Sequence, residues 1–130
     1  MSRSALNFIR AGLIYFMLGG TLGAAMIVNG EWSALLSPVH THFLLLGWVS
    51  MLIFGVGYHI LPRFRGRPLH SEKIAGAQFW LANLGLVGMG VLWPLVNSGQ
   101  TWAVPGLGLF GVIELVSLYL FVYNMLRTLG

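Results

Sequence analysis

Cysteine is absent from this 130-residue chain, and charged residues make up only 8% of it. The first absence excludes disulfides, thiolate metal ligands, iron–sulfur clusters and a covalently attached c-type haem. Any metal or haem must therefore be held by histidine, methionine, tyrosine, glutamate or backbone groups. The second absence, with a mean hydropathy of +0.82, excludes a soluble domain of this size and makes the chain a membrane protein. Residues 1–10 also lack the basic region, short apolar core and small-residue cleavage site of a secretory signal peptide, so the N-terminus is expected to be retained.

The formal charge of +4 does not point to nucleic acid, because the basic residues fall in a membrane pattern. Arg3 and Arg10 stand at the head of the first apolar run. Arg63, Arg65, Arg67 and Lys73 lie between the second and third, and Arg127 follows the fourth. The connections at 29–38 and 97–102 contain neither Lys nor Arg. The positive-inside rule then predicts both termini and the central loop on the cytoplasmic side of a bacterial-type inner membrane, with the two other loops outward. Anionic lipid headgroups are the expected partners of the arginines.

A helix crosses the hydrocarbon in roughly 20 residues, and four segments of that length are present, at about 8–28, 40–61, 74–96 and 104–126. In lipid every backbone group must be satisfied internally, which a helix does alone. The expected architecture is thus all-α, a single transmembrane domain over 1–130 folded as an up-down four-helix bundle. Trp32, Trp93 and Trp102 fall near the outer boundary and Trp80 nearer the inner one, as interfacial anchors. Gly12, Gly19, Gly20 and Gly23 in the first segment, and Gly85, Gly88 and Gly90 in the third, permit close approach of helices or of a flat ligand. Pro38 is read as standing just before the second helix and Pro62 as its stop.

Four histidines interrupt this apolar background. His40 and His42 are two residues apart and so project from nearly opposite faces of a regular helix. They must serve different surfaces. His59 lies 19 positions beyond His40, about 28 Å along a helix axis, and cannot share a site with it. On regular geometry His40 shares a face with Gly47, Met51 and Tyr58, a set that suits a planar cofactor lying against the helix. His42 shares its face with Leu46, Val49, Ile53, Val56 and Ile60, which looks like a surface for lipid or a neighbouring subunit. For each of these histidines the plainer reading is an interfacial group bonded to water, headgroup or carbonyl. His70, among Arg67, Ser71, Glu72 and Lys73, is expected to be solvated.

The stretch HTHFLLLGWVSMLIFGVGYHILPRF resembles the second transmembrane helix of subunit I of the haem-copper oxidases, above all in the nitric oxide reductase and cbb-type branches. The resemblance implies that His40 takes the position of the family's low-spin haem ligand. Tyr58, Leu61 and Pro62 match the closing pattern of that helix, with His59 where the family has a second Tyr. It implies haem b, bound without a covalent link, as the cofactor, with copper the less favoured metal. No histidine occurs in the first, third or fourth segment, so a haem-copper centre cannot be built within these segments, and the chain alone is not expected to be an oxidase or reductase. A single ligand per chain leaves the iron five-coordinate, borrows a second ligand from a partner, or pairs with another copy; the last is favoured, so a homo-oligomer is expected, a dimer or larger, with His40 or His42 of each protomer on the iron near the outer face. His59 is a weaker candidate for a second haem near the inner face. Electron transfer, with a respiratory redox partner, or haem or gas sensing is the function this implies.

Glu114 lies near the midplane of the fourth segment, where an ionised carboxylate costs a few kcal/mol. It is either a functional group, handling protons, contacting a ligand or bridging a metal at an oligomer interface, or a neutral acid bonded to Ser117, Asn83 or a carbonyl. Two other functions compete. One is a small proton or metal transporter using Glu114 and the histidines, and the other is an accessory or assembly subunit of a respiratory oxidase.

Overall fold

The computed structural model describes residues 1–130 and contains only helices. Four of them are long and apolar enough to cross a membrane: α1 (Arg3–Val28), α2 (Trp32–Phe64), α3 (Glu72–Asn97) and α4 (Thr101–Leu129). Ser2 caps α1 by accepting from the Ala5 N–H at 3.2 Å. Ser71 caps α3 by accepting from the Ile74 N–H at 3.2 Å, with Glu72 in the first turn where the helix dipole favours an anion. The α3–α4 connection turns at Gly99, whose φ of 91° suits a residue without a side chain.

The second helix departs from the sequence reading in two ways. It begins at Trp32, eight residues ahead of the expected start, so His40 lies in its third turn and not at its opening. Pro38 is therefore inside the helix, where its missing N–H leaves the carbonyl of Ala34 without a helical partner. Asn97 of α3 supplies that partner: its Nδ2 donates to Ala34 O at 3.1 Å and to Leu35 O at 3.3 Å. The second departure is a π-helical stretch, Phe43–Ser50, in which the Ser50 hydroxyl donates to the Leu45 carbonyl at 2.9 Å. A wider turn here departs from the 3.6-residue period.

The helices form two antiparallel hairpins, α1/α2 and α3/α4, joined chiefly where the first half of α2 lies on α3, with its last half reaching α4. α1 and α4 do not touch, and α1 meets α3 only lightly. Near the end that carries the basic loop, Phe8 is fully buried beneath the rings of Phe54, Tyr58 and Phe79, at 5.6, 5.8 and 5.2 Å. The loops at 29–31 and 98–100, with His40 and His42, lie at the opposite end. The faces turned away from the other helices carry exposed Leu, Ile, Val and Phe throughout, the surface that lipid covers.

Candidate functional site

The imidazole of His40 is lodged against α1, with Nδ1 2.8 Å from the carbonyl oxygen of Gly19. The space comes from Gly23, where a Cβ would stand 2.8 Å from His40 Cε1. A carbonyl oxygen only accepts, so Nδ1 carries the proton and Nε2 presents a lone pair. An imidazole that donates one N–H to a backbone carbonyl while its other nitrogen stays free has the tautomer and orientation of a metal ligand.

His42 reaches the same state by a different route. Its Nδ1 donates to the carbonyl of Pro38 at 2.8 Å, four residues back on its own helix, which again leaves Nε2 free. The ring lies 4.6 Å from that of Trp93 of α3, tilted by 41°. The expected lipid-facing or subunit-facing His42 is thus half-buried on a neighbouring helix, because α2 presents its first half to α3. Trp93, expected as a membrane anchor, is the platform for that ring.

His59 differs. Its Nδ1 is 2.6 Å from Nη1 of Arg63, and a guanidinium only donates. Nδ1 must accept, so in the neutral ring the proton sits on Nε2 and no lone pair remains for a metal. His40, His42 and His59 do not converge, and no group of three or more metal-ligating His or Glu side chains exists. The donors present suit an iron already held by four porphyrin nitrogens, which asks one or two ligands of the protein.

Gly47, Met51 and Tyr58 are packed inside the bundle. Gly47 receives Tyr15 of α1 and Leu86 of α3. Met51 is fully buried, with its Cβ close to Gly12, and Tyr58 touches Phe8 and Phe121. Within one chain these three residues seat α2 against its neighbours. His40, Gly47 and Met51 all turn toward α1, where they meet Gly19 and Gly23, Tyr15, and Gly12. His70 is exposed, edge-on to Tyr123 at 5.9 Å.

Glu114 is 4% exposed, held over Gly85 of α3. A Cβ at Gly85 would come within 2.9 Å of the Glu114 backbone nitrogen and 3.0 Å of Oε2. Oε2 has no protein partner. Asn83, a partner considered for it, instead accepts from the Tyr15 hydroxyl at 2.9 Å and donates to Phe79 O at 2.7 Å. Ser117, the other partner considered for Glu114, leaves its own hydroxyl unpaired, and three further buried polar side chains escaped the sequence reading, Gln78, Asn124 and Thr128. Their signal was spacing: 71, 75, 78, 82, 85, 89 on α3 and 114, 117, 121, 124, 128 on α4 both alternate by three and four, the seam of a helix pair.

Three cavities open on the molecule, and neither His40 nor His42 lines any of them. The largest, about 550 Å³, lies between α1 and α3 and is lined by Arg10, Tyr15, Phe43 and Asn83 among others. No protein-family model matches the chain. It is 34% identical over 74 residues to the cbb3-type cytochrome c oxidase subunit CcoN1 of Stutzerimonas stutzeri, covering 48% of this chain and 16% of that protein. It is 34% identical over 97 residues to a cytochrome c oxidase subunit 1 homolog of Agrobacterium tumefaciens (strain T37), covering 70% and 18%. Against cytochrome c oxidase subunit 1 of Rhodobacter capsulatus it is 45% identical over 49 residues, covering 37% and 9%. The chain carries a segment like haem-copper oxidase subunit I. It spans less than a fifth of the length of each of these relatives. The oxidase-like segment and the four apolar helices together mark a multi-pass membrane protein related to respiratory oxidases.

Proposed function

We propose that the protein binds haem b at the end carrying His40 and His42 and serves electron transfer or haem or gas sensing in a bacterial-type inner membrane. The observation that carries this reading is the His40 imidazole, tied through Nδ1–H to Gly19 O with Nε2 free. Such a haem supplies one-electron chemistry at its iron, with a potential tuned by its axial ligands. His40 holds the iron, the Gly19 carbonyl fixes the imidazole's tautomer, and Gly23 leaves room for the ring. His42, with its own free Nε2, is the second donor of the chain. Since neither histidine opens into a cavity of the single chain, the porphyrin lies between this chain and another, and a second copy repeats both donors about a two-fold axis. The basic loop and both termini face the cytoplasm in this reading, which puts the haem toward the outer face.

The test is the absorption spectrum of the purified protein, oxidised and reduced, with and without added hemin. A Soret band that His40→Ala largely removes is the expected outcome. Protein that remains colourless after hemin is supplied rules the reading out. Loss of haem in His42→Ala together with dissociation to monomers would assign the second axial position to that residue.

A further inference from the structure

Three polar atoms of the α3/α4 seam are buried without a protein partner: Nε2 of Gln78, Oγ of Ser117 and Oε2 of Glu114. Gln78 and Ser117 are completely buried and Glu114 nearly so. An orphaned donor or acceptor in a membrane interior is costly, and three on one seam call for a shared explanation.

The register of the pair gives their order. Gly85 faces Glu114, Gly88 faces Phe110 and Gly106 faces Leu92. Ser117 lies three residues beyond Glu114 and Gln78 seven residues before Gly85. At 1.5 Å per residue, Ser117 stands about 4.5 Å below Glu114 along the axis, and Gln78 about 6 Å below Ser117. These axial separations are comparable to what one water spans with two hydrogen bonds of about 2.8 Å. Buried polar atoms left without protein partners are where proteins hold internal water.

The column continues to the surface. The Tyr58 hydroxyl donates to Oε1 of Gln78. Tyr58 also lines a cavity of about 410 Å³ at the basic-loop end, with Ser2, His59, Arg63, Arg67 and Glu72. The cavity is a vestibule whose floor is the tyrosine. Beside it Asn124 accepts from the Ser71 N–H at 3.1 Å and donates to Ser71 O at 2.9 Å, and Thr128 closes the end of the seam by accepting from the His70 N–H at 3.0 Å.

We infer that the α3/α4 seam holds internal water joining Gln78, Ser117 and Glu114, and that it puts the carboxyl of Glu114 in proton contact with the basic-loop side of the membrane. A proton leaving Oε2 passes to the first water, which gives one of its own to the Ser117 hydroxyl. That hydroxyl gives its proton to the second water, and one proton reaches the vestibule while Glu114 is left as carboxylate. Gln78 holds the second water through its N–H and carries no proton itself. That water exchanges with the vestibule past Tyr58. Tyr15 of α1 is engaged with Asn83 through its hydroxyl. This access runs toward the basic loop, away from His40 and His42, and does not depend on haem.

The experiment is infrared spectroscopy of the full-length protein in lipid, following the carboxyl stretch of Glu114 after transfer from H2O to D2O. Glu31, Glu72 and Glu114 are the only acidic side chains, and Glu114→Gln identifies the band. Rapid exchange is expected in the native protein. In Ser117→Ala and in Gln78→Leu it should slow by about tenfold or more, the factor corresponding to one lost hydrogen bond. Tyr123→Phe, on the exposed face of α4, should leave the rate unchanged. The inference fails if the native band exchanges only over hours, or if both seam variants exchange at the native rate. It also fails if no carboxyl band forms at any pH, since a carboxylate in proton contact with the vestibule must protonate once that water is acidic enough.

Discussion

A methyl group at Gly23 has nowhere to go but into the imidazole of His40, 2.8 Å from Cε1, whereas one at Gly20 meets nothing within 4 Å. Adjacent glycines of one turn therefore predict opposite results. Gly23→Ala should displace the ring, break the bond to Gly19 and weaken haem retention. Overpacking of this kind costs about 1–3 kcal/mol. Gly20→Ala should be neutral or slightly stabilising, by up to about 1 kcal/mol, since alanine favours a helix more than glycine does. Thermal unfolding in detergent and the haem-to-protein ratio of the two variants check this. Gly85→Ala is a harder case than either, because the nearest atom is the backbone nitrogen of Glu114. A side chain can rotate away, but a backbone in a packed helix pair cannot, so this variant should unfold at the lowest temperature of the three.

Along the elements, the informative residue is Pro38. A proline in this position reads as the beginning of a helix, because its absent N–H does no harm there. The helix runs through it because Asn97, distant in sequence, answers the carbonyl that proline leaves open. Asn97→Ala should destabilise the fold by about 0.5–1.5 kcal/mol, the net contribution of a hydrogen bond at an exposed carbonyl. In the Asn97→Ala background, Pro38→Ala should restore much of the loss by re-forming the helical bond. Equal effects of Pro38→Ala in the two backgrounds, measured as unfolding midpoints in a double-mutant cycle, would show the two residues to be independent. His40 and His42 face different neighbours, α1 and α3, and Gly47 and Met51 keep to the α1 side that carries His40.

For the whole molecule, the absence of cysteine offers a clean test of topology. Ser98→Cys and Arg65→Cys each introduce one thiol at opposite ends of the bundle. A thiol reagent that does not cross membranes, applied to intact cells stripped of any outer membrane, should label Ser98→Cys and reach Arg65→Cys only after lysis. The reverse result would invert the orientation and place the histidine end at the cytoplasm. The proposed haem site also predicts a second chain. His40 and His42 occupy the end where α2 passes between α1 and α3, and neither opens into a cavity of the single chain. Crosslinking in lipid should give a dimer or larger in the haem-loaded protein, and less of it in His40→Ala.

The count of spans, their approximate bounds and the separation of the histidines onto different faces follow from composition and helical period, since both are local properties of the chain. The opposing faces of His40 and His42 needed only the angle between neighbouring residues. Where those faces lead was a matter for the tertiary structure. The carbonyls of Gly19 and Pro38 and the guanidinium of Arg63 decide which imidazole nitrogen is free, and the first of these comes from another helix. Glu114 stood out in the sequence by its cost in the membrane, but only the register of α3 on α4 puts Gln78 and Ser117 on the same seam. Hydrophobicity selects which segments enter the membrane, but it is nearly uniform around such helices, so close packing and the pairing of buried polar atoms choose how they turn.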